Sequence, residues 1–304
     1  MTSARAGARP EATRTCHAGW HDLRAGGGAA RRRRRSALGE SRYVLATGAE
    51  AVERLRVVQR VHGPDTERFL HRAGLRPGFR VADIGCGAGI VAAWIAEQVG
   101  GSGEVWAVDV SPEQVEQARS EAARRSLRNV RFVVAGALNT GLPRGSFDLV
   151  YCRFVLMHLD DPLAALREMR ALLRPGGVLA CEDGDFAAPY CHPPLPAFDR
   201  CFELYRALGH AQGQHFLVGR ELPRLFLEAG FGDPHVALAQ PVFLRGAEKR
   251  LPVWTLKECA PALAKTGLAT EEEVTALCQE LERQAADETT LVAMARMTQV
   301  WAVR

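Results

Sequence analysis

The chain has 304 residues, 47% of them hydrophobic, enough to bury a full core in one large domain or one domain with a cap. Its formal charge of +4 is unevenly placed, with +7 on residues 1–42 and −3 on the rest, so the body lacks the basic field that holds nucleic acid. No apolar run approaches the ~20 residues that span a bilayer, and eight cysteines at irregular spacing read as reduced thiols of a cytoplasmic protein.

Residues 1–42, with the Arg31 to Arg35 run and few large apolar side chains, are expected to form a disordered tail. The segment 43–77 reads as a helical prelude. Val57, Val58, Val61, Phe69 and Leu70 recur near helical spacing, with an interruption at Gly63-Pro64. Next comes the most informative stretch, 79–111. It predicts a buried strand over 79–84, a turn through Gly85, Gly87 and Gly89, a helix over 90–99 stopped by Gly100 and Gly101, and a second strand over 105–108 closing on Asp109. This is a βαβ unit with a binding site in its first turn. The glycines let backbone approach a ligand, and the helix N-terminus behind them offers amide donors. An acid about 20 residues past such a turn is placed to hold a ribose diol. A dinucleotide turn would read G-x-G-x-x-G, whereas here Asp83 ends the strand and would repel a pyrophosphate.

Ser111-Pro112 opens the next helix, with Gln114 completing a capping box. Strands are expected over 130–134, 146–152 and 178–181, with a helix from Asp161-Pro162 to 173 between the last two. Helical stretches over 198–208 and 221–229, a sixth strand over 235–244, further helices within 247–290 and a seventh strand over 297–303 complete the pattern. Strands alternating with helices imply an α/β, doubly wound, Rossmann-like parallel sheet with ligands at the carboxyl ends of its strands.

The run DIGCGAG (83–89) resembles motif I of the class I S-adenosylmethionine-dependent methyltransferases. FDLVYCRFVLMHLDDP (147–162) and LLRPGGVLA (172–180) resemble their later motifs, particularly in the group containing ubiquinone/menaquinone-type and natural-product enzymes. The resemblance covers 43–304. It implies a seven-stranded methyltransferase domain over 78–304, a lid over 43–77, and a helical cap from insertions at about 183–230 and 247–290. It also implies S-adenosylmethionine as cofactor, its cationic methionyl end suited by Asp83. The cofactor set implied is Tyr43, Asp83, Gly85, Cys86, Gly87, Gly89, Asp109, Val110, Gln114, Gly136, Ala137 and Arg153. Tyr43 or Gln59 would touch the cofactor from the lid, and Arg153 would meet its carboxylate or a backbone carbonyl. One position departs from the family: Gly136 stands where an Asp usually accepts the adenine amino group, leaving backbone contact from Ala137.

Methyl transfer needs in-line positioning and, for a hydroxyl acceptor, a base. His158 is the first candidate base, and Asp183 is the first choice among Glu182, Asp183 and Asp185 for a substrate contact, with at least one of the three expected to be solvated. His192, His210 and His215 are weaker candidates in the cap. Phe186, Tyr190, Phe198, Phe202, Phe216 and Trp254 would supply an apolar chamber, or equally ordinary core. The expected acceptor is a small hydrophobic or aromatic molecule, with no nucleic acid, membrane or metal partner and a homodimer left open. An RNA or protein methyltransferase and a non-catalytic cofactor-binding module are the alternatives.

Overall fold

The computed structural model describes residues 49–304, with side chains from Arg56 onward; the expected tail over 1–42 and Tyr43 lie outside the described residues. In chain order come α1 (Ala49–Arg72), β1 (Arg80–Ile84), α2 (Ile90–Val99), β2 (Glu104–Asp109), α3 (Pro112–Arg124), β3 (Val130–Val134), β4 (Phe147–Arg153), α4 (Pro162–Leu172) and β5 (Leu173–Asp185). They are followed by β6 (Tyr190–His192), α5 (Pro196–Ala211), α6 (Leu222–Glu228), β7 (His235–Ala239), β8 (Val242–Phe243), α7 (Leu251–Thr266), α8 (Glu271–Ala286), β9 (Leu291–Ala293) and β10 (Arg296–Val303).

Seven strands form one sheet in the order β3-β2-β1-β4-β5-β10-β7. The first five pair in parallel, but β10 is antiparallel to both β5 and β7. The sheet is therefore mixed, not parallel throughout. The chain's last strand fills the slot between β5 and β7 and enters it from the opposite end. Successive residues of the central strands feed two cores, as the period of two requires. Val81, Leu149 and Tyr151 pack with α2 and with Phe69 and Leu70 of α1, while Ala82, Ile84, Val150 and Cys152 pack with α4 and the cap. Among the described residues, no helix is long and apolar enough to cross a membrane.

Several boundaries differ from the sequence reading. Gly63-Pro64 does not interrupt α1, which runs through Pro64. Val57 and Val61 before it and Phe69 and Leu70 after it are all buried, and that packing outweighs the missing amide hydrogen bond. The strand expected over 235–244 is two strands, because Pro241 breaks the ladder and sends β8 into a separate three-stranded sheet with β6 and β9. β5 runs on to Asp185, so Glu182, Asp183 and Asp185 are all buried strand residues and none is solvated. α5 packs on α7 and α8, whereas α6, within the span expected as a cap, packs on α4 and β10 beside the sheet.

Candidate active site

The turn after β1 takes a left-handed backbone geometry that favours glycine. Gly85, Gly87 and Gly89 have φ of 75°, 52° and 76°. A Cβ on Gly85 would lie 2.3 Å from Val155 Cγ2, and one on Gly89 2.6 Å from Ala118 Cβ and 2.8 Å from its Cα. Gly89 thus sets the closeness of α2 to α3, while Gly85 lets the turn pass beneath the segment after β4. The amides of Gly85 and Cys86 both donate to the Val108 carbonyl, at 2.7 and 2.9 Å. Asp109, at the end of β2, accepts from the Gly87 amide at Oδ2 and from the Ser111 amide at Oδ1, each at 2.9 Å. Burial raises its carboxyl above the usual range against these amide hydrogen bonds.

The Ser111 hydroxyl caps α3 through the Gln114 amide at 3.3 Å. The second half of the expected capping box is absent, because Asp109 already takes the Ser111 amide. Gln114 instead turns into the cavity, where its Oε1 has no hydrogen-bond partner among the described residues.

Asp83 lies deeper. It is 2% exposed and its Oδ2 has no hydrogen-bond partner among the described residues. Burial pushes its carboxyl up to about 7; the Arg153 guanidinium opposes the rise and the Asp109 charge adds to it. Arg153 donates to Thr66 Oγ1 and Gln59 Oε1, both at 2.9 Å. It therefore ties β4 to α1 while also lining the cavity, and Gln59 is its partner.

These groups open into one cavity of about 280 Å³. One end holds Asp83, Gly85, Cys86, Gly87, Asp109, Val110, Gln114 and Ala137, while Gly89 faces Ala118 of α3 and does not line it; Val110 is 57% exposed there. Gly136 is not part of the wall, and a Cβ built on it meets nothing within 4 Å. The other end is aromatic and apolar, with Phe154, Met157, Phe186, Phe202, Tyr205 and Met294. Phe154 has φ of 55°, a strained conformation for a bulky side chain. Of the expected chamber aromatics, Phe186 and Phe202 line the cavity. Phe198 and Phe216 are core, Tyr190 is exposed on β6, and Trp254 packs against the core outside the cavity.

His158 lines this end, edge-on to Phe216 at 6.0 Å. Asp183 does not reach the cavity. Its Oδ2 accepts from the Met157 amide at 3.2 Å and its Oδ1 from the Gly184 amide at 2.9 Å, so it braces the turn that carries His158. Burial pushes it to about 7 as well. Glu182 accepts from Tyr151, Thr66 and Gln299, and Asp185 from Arg220 and Arg296. Burial alone would raise the Asp185 carboxyl, but the two arginines outweigh it and hold it low. None of His192, His210 and His215 lines the cavity.

The sequence reading missed His62, Phe154, Cys201 and Tyr205, all of which line the cavity. For His62 a signal was present. It stands four residues after Val58, on the same face of α1, and both reach the cavity wall.

Residues 82–181 match the family described as methyltransferase domain. The chain is 40% identical over 111 residues to the aklanonic acid methyltransferase DauC of Streptomyces sp. (strain C5), spanning 36% of this chain and 50% of the relative. It spans about half the length of several curated relatives it matches. A crystal structure of a SAM dependent methyltransferase from Aquifex aeolicus shares the fold, with a TM-score of 0.50 and 23% identity over 63% of this chain and 93% of that one. A demethylmenaquinone methyltransferase of Staphylococcus aureus (strain JH9) is 30% identical over 183 residues, covering 54% of this chain and 73% of the relative. The chain belongs to the class I S-adenosylmethionine-dependent methyltransferases. S-adenosylmethionine is the cofactor of this family, and the cavity of this methyltransferase fits it. The unpartnered Asp83 Oδ2 suits a cation, Asp109 keeps lone pairs for a diol, and Val110 offers an exposed apolar surface to a base.

Proposed function

We propose that the protein transfers a methyl group from S-adenosylmethionine to O, N or C of a small hydrophobic, aromatic acceptor. The observation that carries this reading is the single cavity joining the polar cradle at Asp83 and Asp109 to the aromatic chamber at Phe154, Phe186 and Tyr205. The names of the relatives, a demethylmenaquinone and an aklanonic acid methyltransferase, support the same class of acceptor.

In this reading Asp109 holds the ribose hydroxyls, Val110 and Ala137 flank the adenine, and Asp83 faces the methionyl end, with the Gly85 to Gly89 backbone beneath. When bound, the cofactor supplies a methyl already activated by its sulfonium. The chain positions the acceptor and excludes water, with His158 in the chamber as the candidate base. Calorimetric titration with S-adenosylmethionine, S-adenosylhomocysteine and NADH tests the cradle. The two adenosyl ligands are expected to bind and NADH is not; NADH binding alone would overturn the reading.

Two further results are expected at the cradle. With its carboxyl raised to about 7, Asp83 is protonated below neutrality in the free protein, while a cationic ligand prefers the carboxylate. Binding then expels the proton, so affinity rises with pH up to about 7 and levels above it. One unit below, it is down by about tenfold. Asp83→Asn should flatten this profile, which separates it from titration of the ligand; a wild-type dissociation constant independent of pH would contradict the assignment. Gly136 lies between Ala135 and Ala137, which both line the cavity, and a side chain there has room; Gly136→Asp would add a hydrogen bond worth about 1 kcal/mol. The variant is expected to bind S-adenosylmethionine about fivefold more tightly by the same titration.

A further inference from the structure

His62 is 3% exposed, and its ring lines the acceptor end of the cavity from α1. Its Nδ1 is buried without a hydrogen-bond partner among the described residues. Native structures seldom leave such a nitrogen unmatched unless a ligand or an ordered water completes it. The ring stands edge-on to Phe154, 5.2 Å between centroids at 77°. Phe154 continues to Phe186 at 6.1 Å, and Phe186 to Tyr205 at 5.2 Å. The polar nitrogen thus sits at the margin of an aromatic wall. Burial, helped by the Arg153 guanidinium, pushes the imidazole down to about 3. It is neutral in the working range and too weak a base to take a proton from a hydroxyl. What it offers is a hydrogen bond. A hydroxyl both donates and accepts, so it matches this nitrogen in either imidazole tautomer; a bare hydrocarbon ring matches it in neither.

We infer that His62 is a specificity-determining residue that hydrogen-bonds a ring hydroxyl of the acceptor, so that the chamber selects hydroxylated aromatic molecules over plain aromatic ones. The inference rests on the chamber being the acceptor site. In this arrangement His62 orients the ring from the lid helix, and His158 stands on the turn after β4. A ring that lacks the hydroxyl leaves a buried polar group unmatched, which disfavours it.

The test uses the full chain loaded with S-adenosylhomocysteine and compares 1-naphthol with naphthalene by equilibrium dialysis. Wild type is expected to hold 1-naphthol roughly five- to tenfold tighter than naphthalene. His62→Phe keeps a ring against Phe154 and should bind both compounds alike. His62→Asn, which returns a hydrogen-bonding group, should recover much of the preference. S-adenosylhomocysteine affinity should be equal in all three proteins, and this controls for folding. An undiminished preference for 1-naphthol in either His62→Phe or a second variant, His62→Leu, overturns the assignment of His62. Equal binding of the two compounds by wild type does the same while leaving the chamber as the aromatic site. If neither compound binds wild type, the aromatic-acceptor reading itself falls, and the inference with it.

Discussion

Asp109→Ala is expected to weaken S-adenosylhomocysteine binding by about 100-fold, measured by calorimetric titration. On the proposal that Asp109 holds the ribose diol, two hydroxyl-to-carboxylate hydrogen bonds are lost, and charge-assisted bonds of this kind are worth about 1.5–3 kcal/mol each before compensation. The variant also removes the acceptor that both the Gly87 and Ser111 amides use. That leaves the glycine turn and the start of α3 without their common anchor, at a cost of about 1–2 kcal/mol in stability. Asp109→Asn keeps one acceptor oxygen and should fall between the two, near tenfold. Binding by Asp109→Ala within a factor of three of wild type would mean that the carboxylate is only a brace for the loops, and that the ligand's diol lies elsewhere.

Glu182→Ala should be the most damaging substitution to stability. Glu182 is 1% exposed and joins three elements. Tyr151 of β4 donates to Oε1 at 2.6 Å, Gln299 of β10 donates to Oε2 at 2.8 Å, and the Thr66 hydroxyl of α1 also donates to Oε1. Arg153 donates to the same Thr66 hydroxyl, so the network fastens α1 over the end of the sheet. Removing the carboxylate strands the donors in a dry interior and is expected to cost about 3–5 kcal/mol, read from the urea midpoint. Because α1 carries Val58 and His62 into the cavity wall, ligand affinity should fall with it. Glu182→Gln preserves the volume and one acceptor oxygen, and should cost about 1–2 kcal/mol. Equal losses in the two variants would show that the negative charge matters, not the hydrogen-bonding geometry.

The glycine-turn end of the cavity was legible because its signals are local. A left-handed glycine, a helix N-terminus and an acid closing the next strand sit within about thirty residues of one another, and each is forced by backbone geometry rather than by distant packing. The same holds for the Ser111 cap of α3. The aromatic end was only partly legible, because it is assembled from α1, α5, the turn after β4 and the segment before β10, and no spacing rule links such distant residues. His62 looked like any residue of a helical prelude. Phe186 and Phe198 were indistinguishable as aromatic residues of the variable half, yet one lines the cavity and the other is core. Asp183 carried the chemistry of a substrate contact, but the path of β5 aims its carboxylate at the amides of the neighbouring turn. The direction of β10 was invisible for the same reason. An alternating apolar strand reads alike in both senses, and only the route of the chain through α7 and α8 decides how it enters the sheet. Pro64 misled in the opposite way: a local breaker was outweighed by long-range burial on either side of it.

The most direct test of the central claim is methyl transfer itself. The full chain would be incubated with methyl-labelled S-adenosylmethionine and, in parallel, with a panel of hydroxylated and amino-substituted aromatic small molecules, with bulk tRNA and with a mixed protein extract. Label is expected in an aromatic small molecule and in neither macromolecule, and this transfer should be lost in Asp109→Ala. Label in RNA or protein, or tight cofactor binding with no transfer to any member of the panel, would contradict the account.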